Sequence, residues 1–331
     1  MPSVIVVGAS GYAGALAARL IWTHPQFDLL AVTAREDAGR RLSDLYPHHR
    51  VPLELEGFDL DRAASADAAI VAYPHGSAAP VVAALLEREL RVIDLSADFR
   101  LRDLATYEQW YVPHEHPELI ERAVYGLTEL YRAQIAQAAL VACPGCFPTA
   151  AILALAPLAQ AGLIADAVID AKTGVSGMGK APKDANHFVS VTENVRPYGV
   201  GAHRHMPEID QELALLGAPV PITFTPHLLP IDQGELLSCY VTTTRTVDQA
   251  QLDALYGERY ADEPFIDLVT SAPGVRDVRE TNVCAIRAIA DERTGKTFVF
   301  AAIDNLWKGT SSQALANLNL MFGFDEGLGL R

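Results

Sequence analysis

Ser3-Val4-Ile5-Val6-Val7-Gly8-Ala9-Ser10-Gly11-Tyr12-Ala13-Gly14 runs from a β-branched apolar stretch into three glycines spaced three residues apart. A short apolar run bounded by glycine reads as a buried strand. From Tyr12 to Thr23 the residues Leu16, Leu20 and Ile21 recur at helical spacing, and Pro25 stops the helix. The glycines therefore stand at a strand-to-helix turn. They let the backbone turn tightly and approach a ligand closely, while the helix start offers unpaired N–H groups and positive partial charge. G-x-x-G-x-x-G is a variant of the dinucleotide fingerprint, so Gly8, Ser10, Gly11, Tyr12 and Gly14 are expected to hold a dinucleotide pyrophosphate. A plain strand–helix turn is the alternative.

Outward from that turn the alternation continues. Strands are expected at 29–33, 68–73 and 91–95, with a helix running to Leu86 between the last two. Leu140 to Ala142 reads as another strand and Phe147 to Leu158 as the helix after it. This predicts a Rossmann-type α/β fold, a doubly wound parallel sheet with helices on both faces. The pattern then changes. Strands at 167–173, 220–225, 236–243, 283–290 and 297–303 have only two helices among them, at 207–216 and 248–260. That predicts a second, α+β domain with a mixed sheet covered on one face. The expected domains are 1–147 for the dinucleotide and 148–308 for catalysis and oligomerisation. A C-terminal helix in 309–331 is expected to pack back on the first.

The chain has 331 residues, half of them hydrophobic and a fifth charged, enough for two cores. Its formal charge of -15 argues against nucleic acid or an anionic membrane as partner. Four cysteines, few and unevenly spread, argue for reduced thiols in the cytoplasm. No signal-peptide pattern opens the sequence. Residues 133–165 carry no charge, but Pro144, Gly145, Pro148, Pro157 and Gly162 break that segment into strand, turn and helix, not a membrane span.

At the end of the second strand, where NAD proteins usually place an acid, the chain reads Thr33-Ala34-Arg35. A hydroxyl and a cation suit a 2′-phosphate and favour NADP; Glu36 and Asp37 keep NAD as the alternative.

Cys143-Pro144-Gly145-Cys146-Phe147-Pro148 puts Cys146 near a helix start, with Pro148 where a missing N–H does no harm. That position favours a thiolate nucleophile. A buried structural cysteine is the bland alternative. A C-x-x-C redox pair lacks a thioredoxin-like context, and a zinc half-site lacks a second pair of ligands. A dinucleotide and an activated thiol together imply capture of a carbonyl carbon on sulfur, with hydride transfer at that carbon.

Further residues gather round this chemistry. His203 and His205 alternate before a helix starting near Pro207, and imidazole suits proton transfer near neutrality; no acid cluster completes a metal site there. Arg100, after the fourth strand, has the fork for a phosphate. The loop 174–180 holds Ser176, a candidate substrate contact, and Gly177, a candidate cofactor contact, but lacks a P-loop ending. Asn305 is a candidate for the nicotinamide amide and Lys308 for phosphate, with a helix cap as the alternative. His48-His49 and His114-Glu115-His116 read as surface residues.

The landmarks GASGYAG (from Gly8), AYPHGSA (Ala72), IDLSADFR (Ile93), YGLTEL (Tyr125), PGCFPTA (Pro144), AKTGVSGMGK (Ala171), GVGAHRHMPEI (Gly199), FTPHLLP (Phe224) and AIDNLWKGTSSQA (Ala302) follow in one order. In these the chain resembles N-acetyl-γ-glutamyl-phosphate reductase of arginine biosynthesis, over essentially its whole length. The resemblance implies NADPH-dependent reduction of N-acetyl-γ-glutamyl phosphate to the semialdehyde with phosphate release, and a fold shared with aspartate-semialdehyde dehydrogenase. It implies Cys146 as nucleophile, His203 or His205 as the acid–base residue, and Glu208 as a group orienting substrate or histidine. Two departures stand out: Cys143 where the family usually has Asn, and Gln233-Gly234 where it usually has Arg-Gly. Gln cannot clamp an anion as Arg does. A longer acyl phosphate, as in the aminoadipate route to lysine, is therefore an alternative substrate. Aspartate-semialdehyde dehydrogenase is a rival among enzymes, and a non-enzymatic NADP-sensing protein is a rival outside them. Cys143 and Cys146 have disulfide-compatible spacing, which suggests a redox switch. A homodimer or homotetramer is expected.

Overall fold

The computed structural model describes residues 1–330, and they divide into two compact units, 1–145 with 310–330, and 146–309. Among the described residues the strands form two sheets of seven.

In the first unit the strands are β1 (Ser3–Val7), β2 (Asp28–Thr33), β3 (Leu55–Glu56), β4 (Ala68–Val71), β5 (Arg91–Asp94), β6 (Ala123–Tyr125) and β7 (Leu140–Ala142). Their order is β3-β2-β1-β4-β5-β7-β6, and every pairing is parallel. The central strands β1, β4 and β7 are almost wholly buried, as expected where helices cover both faces. Helices Tyr12–Trp22 and Ala79–Glu87 follow β1 and β4. Helix Ser312–Met321 packs on Tyr12–Trp22 and on Thr128–Ile135. Its polar side chains are put to use: Gln313 and Asn317 donate to the Gly126 carbonyl at 2.8 Å each.

Two sequence motifs meet here. Asp98, after β5, accepts from the N–H groups of Gly76, Ala78 and Ala79 at 2.6, 3.0 and 3.1 Å and from the Tyr107 hydroxyl at 3.0 Å. It satisfies the open start of helix Ala79–Glu87 from outside that helix.

In the second unit the strands are β8 (Ile164–Thr173), β9 (Arg196–Pro197), β10 (Ile222–Leu228), β11 (Glu235–Thr243), β12 (Ile266–Leu268), β13 (Cys284–Asp291) and β14 (Lys296–Ile303). Their order is β12-β13-β14-β11-β8-β10-β9. β8–β10 and β12–β13 pair parallel and the rest antiparallel, which makes the sheet mixed. Helix Cys146–Gln160 lies on β8, β11, β13 and β14. Val168 and Tyr240 are exposed on β8 and β11.

Several expectations need correction. The strand expected to stop at Thr225 runs through Pro226 to Leu228. Proline is tolerated because β9 covers β10 over only two residues. Residues 100–139 hold the helices Leu104–Trp110 and Thr128–Ile135 and the edge strand β6, none of which sequence patterning indicated. The last helix begins at Ser312, preceded by a π-turn at Trp307–Ser311. His49 is buried, not on the surface, and stacks on Tyr46 with centroids 5.2 Å apart. His114 is half-buried, its Nε2 2.6 Å from the Asp98 carbonyl. No helix among the described residues is long and apolar enough to cross a membrane.

Candidate active site

The glycine turn of the first unit is built by close contact. Gly8 has φ +87°, and a Cβ there would meet the Ala72 carbonyl oxygen at 2.7 Å. A Cβ on Gly14 would lie 2.3 Å from the Gly8 oxygen, so strand and helix touch through bare backbone. Gly11 differs: its nearest neighbour would be at 3.9 Å. Gly11 caps helix Tyr12–Trp22 with no side-chain hydrogen bond, which leaves the first N–H groups of that helix for a ligand. Ser10 and Tyr12 are half-buried at the same turn. The Tyr46 hydroxyl donates to the Ser10 carbonyl at 2.8 Å. These features fit a pyrophosphate.

At the end of β2 the two expected contacts separate. Thr33 is buried, its hydroxyl near the Gly8 N–H at 3.4 Å and its carbonyl accepting from Ala9 N–H at 2.8 Å. It therefore braces the turn and does not present a hydroxyl to a 2′-phosphate. Arg35 is exposed, its guanidinium 4.6 Å over the Tyr73 ring. Asp37 pairs with Arg40 at 2.8 Å, which occupies one of the two nearby acids.

In the second unit Cys146 is the first residue of helix Cys146–Gln160 and is half-buried; Cys143, Cys239 and Cys284 are buried. Its neighbour Phe147 gathers the histidines: the His203 ring lies 5.6 Å and the His205 ring 5.9 Å from it, both edge-on. Tyr198 and Phe224 flank His203 at 5.5 and 5.4 Å. The His203 Nδ1 accepts from the His205 N–H at 3.2 Å, which leaves the ring proton on Nε2. Burial pushes the His203 pKa down to about 4, so the ring is neutral at pH 7. Glu208 lies buried in the first turn of helix Met206–Leu216.

The comparisons with known proteins follow this division. Residues 3–138 match the family described as semialdehyde dehydrogenase, NAD binding domain, and residues 146–305 match semialdehyde dehydrogenase, dimerisation domain. N-acetyl-gamma-glutamyl-phosphate reductase of Moorella thermoacetica is 46% identical over 334 residues, covering 98% of this chain and 96% of that protein. The same-named protein of Geobacter sulfurreducens is 46% identical over 339 residues, covering 100% and 98%. This chain belongs to the N-acetyl-gamma-glutamyl-phosphate reductase family. It is thus an oxidoreductase of the semialdehyde dehydrogenase type with a nicotinamide-cofactor domain. In fold it is also like aspartate semialdehyde dehydrogenase II of Vibrio cholerae, complexed with ASA, with TM-score 0.76, 17% identity and 98% of each chain covered. Aspartate semialdehyde dehydrogenase of Candida albicans, with NADP, has TM-score 0.71 at 12% identity, covering 97% and 98%.

Within this reductase-family chain, several expected contacts are engaged internally. Arg100 is 5% exposed and donates to the carbonyls of Cys143 at 2.6 Å and Leu95 at 2.8 Å. It ties the Cys143 turn to β5 and does not present its fork at the surface. Lys308 is 0% exposed, with Nζ 5.5 Å from the Phe265 ring centre. Asn305 uses both ends of its amide: Oδ1 accepts from Gly234 N–H at 2.7 Å and Nδ2 donates to the Ser176 hydroxyl at 3.0 Å. Asn305 and Ser176 thus brace two loops against β14. Gly177, beside them, is exposed. Burial raises the Cys143 thiol to about 12, and Asn317 Nδ2 lies 3.5 Å from its sulfur. A thiol held neutral in this way works against a redox switch at that residue.

Sequence reading missed Glu235. It opens β11 on the same face as Leu237, Cys239 and Val241, all buried. An acid on the core face of an alternating strand was the available signal.

Proposed function

We propose that this chain reduces N-acetyl-γ-glutamyl phosphate to the semialdehyde with NADPH, through a thioester on Cys146, as a cytoplasmic step of arginine biosynthesis. The observation that carries this reading is the placement of Cys146. It is the half-buried cysteine, at a helix N-terminus, with both histidines packed on the next residue. Membership of the reductase family supports the substrate.

NADPH, when bound, supplies the hydride; the exposed Arg35 favours it over NADH by meeting the 2′-phosphate. Sulfur attacks the acyl carbon and the carbon–oxygen bond to phosphate breaks. Backbone N–H groups at the start of helix Cys146–Gln160 stabilise the oxyanion. The His203 Nε2–H donates to the same oxygen. After reduction the hemithioacetal alkoxide, held by that hydrogen bond, re-forms the C=O bond as the C–S bond breaks, giving aldehyde and thiolate.

Cys146→Ser is expected to abolish acyl-phosphate-dependent NADPH oxidation while leaving NADPH binding, read by fluorescence titration, within about threefold of wild type. Retained turnover would sink the thioester route. A panel of N-acetylglutamate, aminoadipate and aspartate semialdehydes, assayed for phosphate-dependent NADP reduction, decides acyl length. Assembly of two or four copies is supported by the match to a dimerisation domain, and sedimentation of the same preparation reads it.

A further inference from the structure

Glu235 sits at the centre of the second sheet, paired in register with Thr173 of β8 and Ile303 of β14. It is 0% exposed. Neither carboxyl oxygen makes a hydrogen bond of regular geometry, and neither does the Thr173 hydroxyl. A buried carboxyl so loosely held is costly to the fold, which calls for a function.

Its surroundings indicate one. The side chains that favour its charged form are the Cys146 thiol, at the start of the helix above it, and Thr173. Asp304, just after β14, and Tyr198, between β9 and the histidines, are the other titratable groups that face it. The approach is fixed by the backbone. Gly234 has φ +118° and its N–H is held by Asn305, while a Cβ on Gly309 would meet the Cys146 Cβ at 2.7 Å. The same Cβ position on Gly309 lies 3.3 Å from Ile303 Cδ1, and Ile303 is the register partner of Glu235, so Cys146 and Glu235 converge on one neighbourhood.

We infer that Glu235 is the acid–base partner of the Cys146 sulfur, taking the thiol proton before attack and returning it when the thiolate is released. The inference rests on the reading of Cys146 as nucleophile. In the forward step the Sγ–H bond breaks, an Oε–H bond forms, and the negative charge passes from carboxylate to sulfur; the return step is the reverse, with no net proton consumed at the pair. Burial, with Asp304 adding to it, raises the Glu235 pKa to about 8. A carboxylate so raised is a base matched to a thiol near neutral pH.

The experiment follows iodoacetamide alkylation of folded protein against pH, where the burial of the other three cysteines makes Cys146 the reporter. Wild type is expected to rise in two steps, as a coupled pair does, and Glu235→Gln in one. Glu235→Gln should also slow single-turnover thioester formation at pH 7 by about 100-fold and lose the rise in kcat/KM toward pH 8. A folded Glu235→Gln protein that keeps both wild-type profiles overturns the inference. Infrared titration of the wild-type protein needs no variant. A buried protonated carboxyl should shift its midpoint when Cys146 is alkylated, and a carboxyl that does not respond overturns the inference equally. Alkylation contains neither NADPH nor acyl phosphate. Inactive Cys146→Ser with unchanged Glu235→Gln therefore removes Glu235 alone, whereas active Cys146→Ser removes the thioester reading.

Discussion

Single residues carry the close contacts on which both halves of the chemistry depend, and the glycines of the first turn show how differently three similar letters act. Gly14 has no room for a methyl group, since its Cβ would lie 2.3 Å from the Gly8 oxygen and 2.9 Å from the Ala9 Cα. Gly14→Ala is expected to destabilise by about 1–3 kcal/mol, read by urea unfolding, because backbone cannot yield as a flexible side chain does. Gly11 meets nothing nearer than 3.9 Å. Gly11→Ala should leave the unfolding midpoint nearly unchanged and weaken NADPH binding, because the methyl occupies space kept for the ligand. Equal loss of stability in the two variants would show the turn to be purely structural. The motif gives both glycines the same weight in sequence; their separation needed the distances.

At the scale of elements, the π-turn Trp307–Ser311 and helix Cys146–Gln160 meet where Gly309 faces Cys146. A Cβ on Gly309 would stand 2.7 Å from the Cys146 Cβ and 3.2 Å from its Cα. π-turns carry an extra residue that re-aims the backbone, and they recur at functional sites. Gly309→Ala is expected to push the first turn of the helix away and lower kcat by about 100-fold, because displacement of a nucleophile by about 1 Å has that effect. Circular dichroism should show the fold intact. Unchanged kcat would mean that the nucleophile is not held by this contact. The helix was expected from Phe147 to Leu158 with Pro148 near its start, and it runs over Cys146–Gln160. The π-turn was invisible, because its sequence reads as the beginning of an ordinary helix; only the hydrogen bond from Gly309 N–H to the Asp304 carbonyl at 2.9 Å distinguishes it.

For the whole molecule the buried titratable groups set a dependence of stability on pH. His49 is stacked in the core, and burial lowers its pKa to about 4. The unfolded chain takes its proton near the ordinary value of about 6.5. Below that value the unfolded state binds more protons, so stability is complete above pH 6.5 and falls on the order of 1 kcal/mol per unit as pH drops toward 4. His203 adds to the same limb. Glu235 acts in the opposite sense: its raised pKa contributes stability below pH 4.5 that is lost as pH rises through about 8. His49→Phe, which keeps the stacking on Tyr46, is expected to flatten the acid limb in unfolding measured from pH 7 to 4.5. A limb of unchanged slope would remove His49 from the account. What the sequence by itself determined was local: strand and helix alternation, the glycine turn, the cysteine at a helix start, the order of motifs that marks the reductase family. The first three follow from periodicity and backbone propensity, which act between residues a few positions apart, and the family follows from the resemblance of its motifs. The tertiary structure alone decided that Arg100, Asn305 and Lys308 turn inward, that His203 is neutral, and that Glu235 faces a thiol 89 positions away in the chain. Burial and pairing across a sheet are properties of residues brought together from distant segments, and no local pattern specifies them.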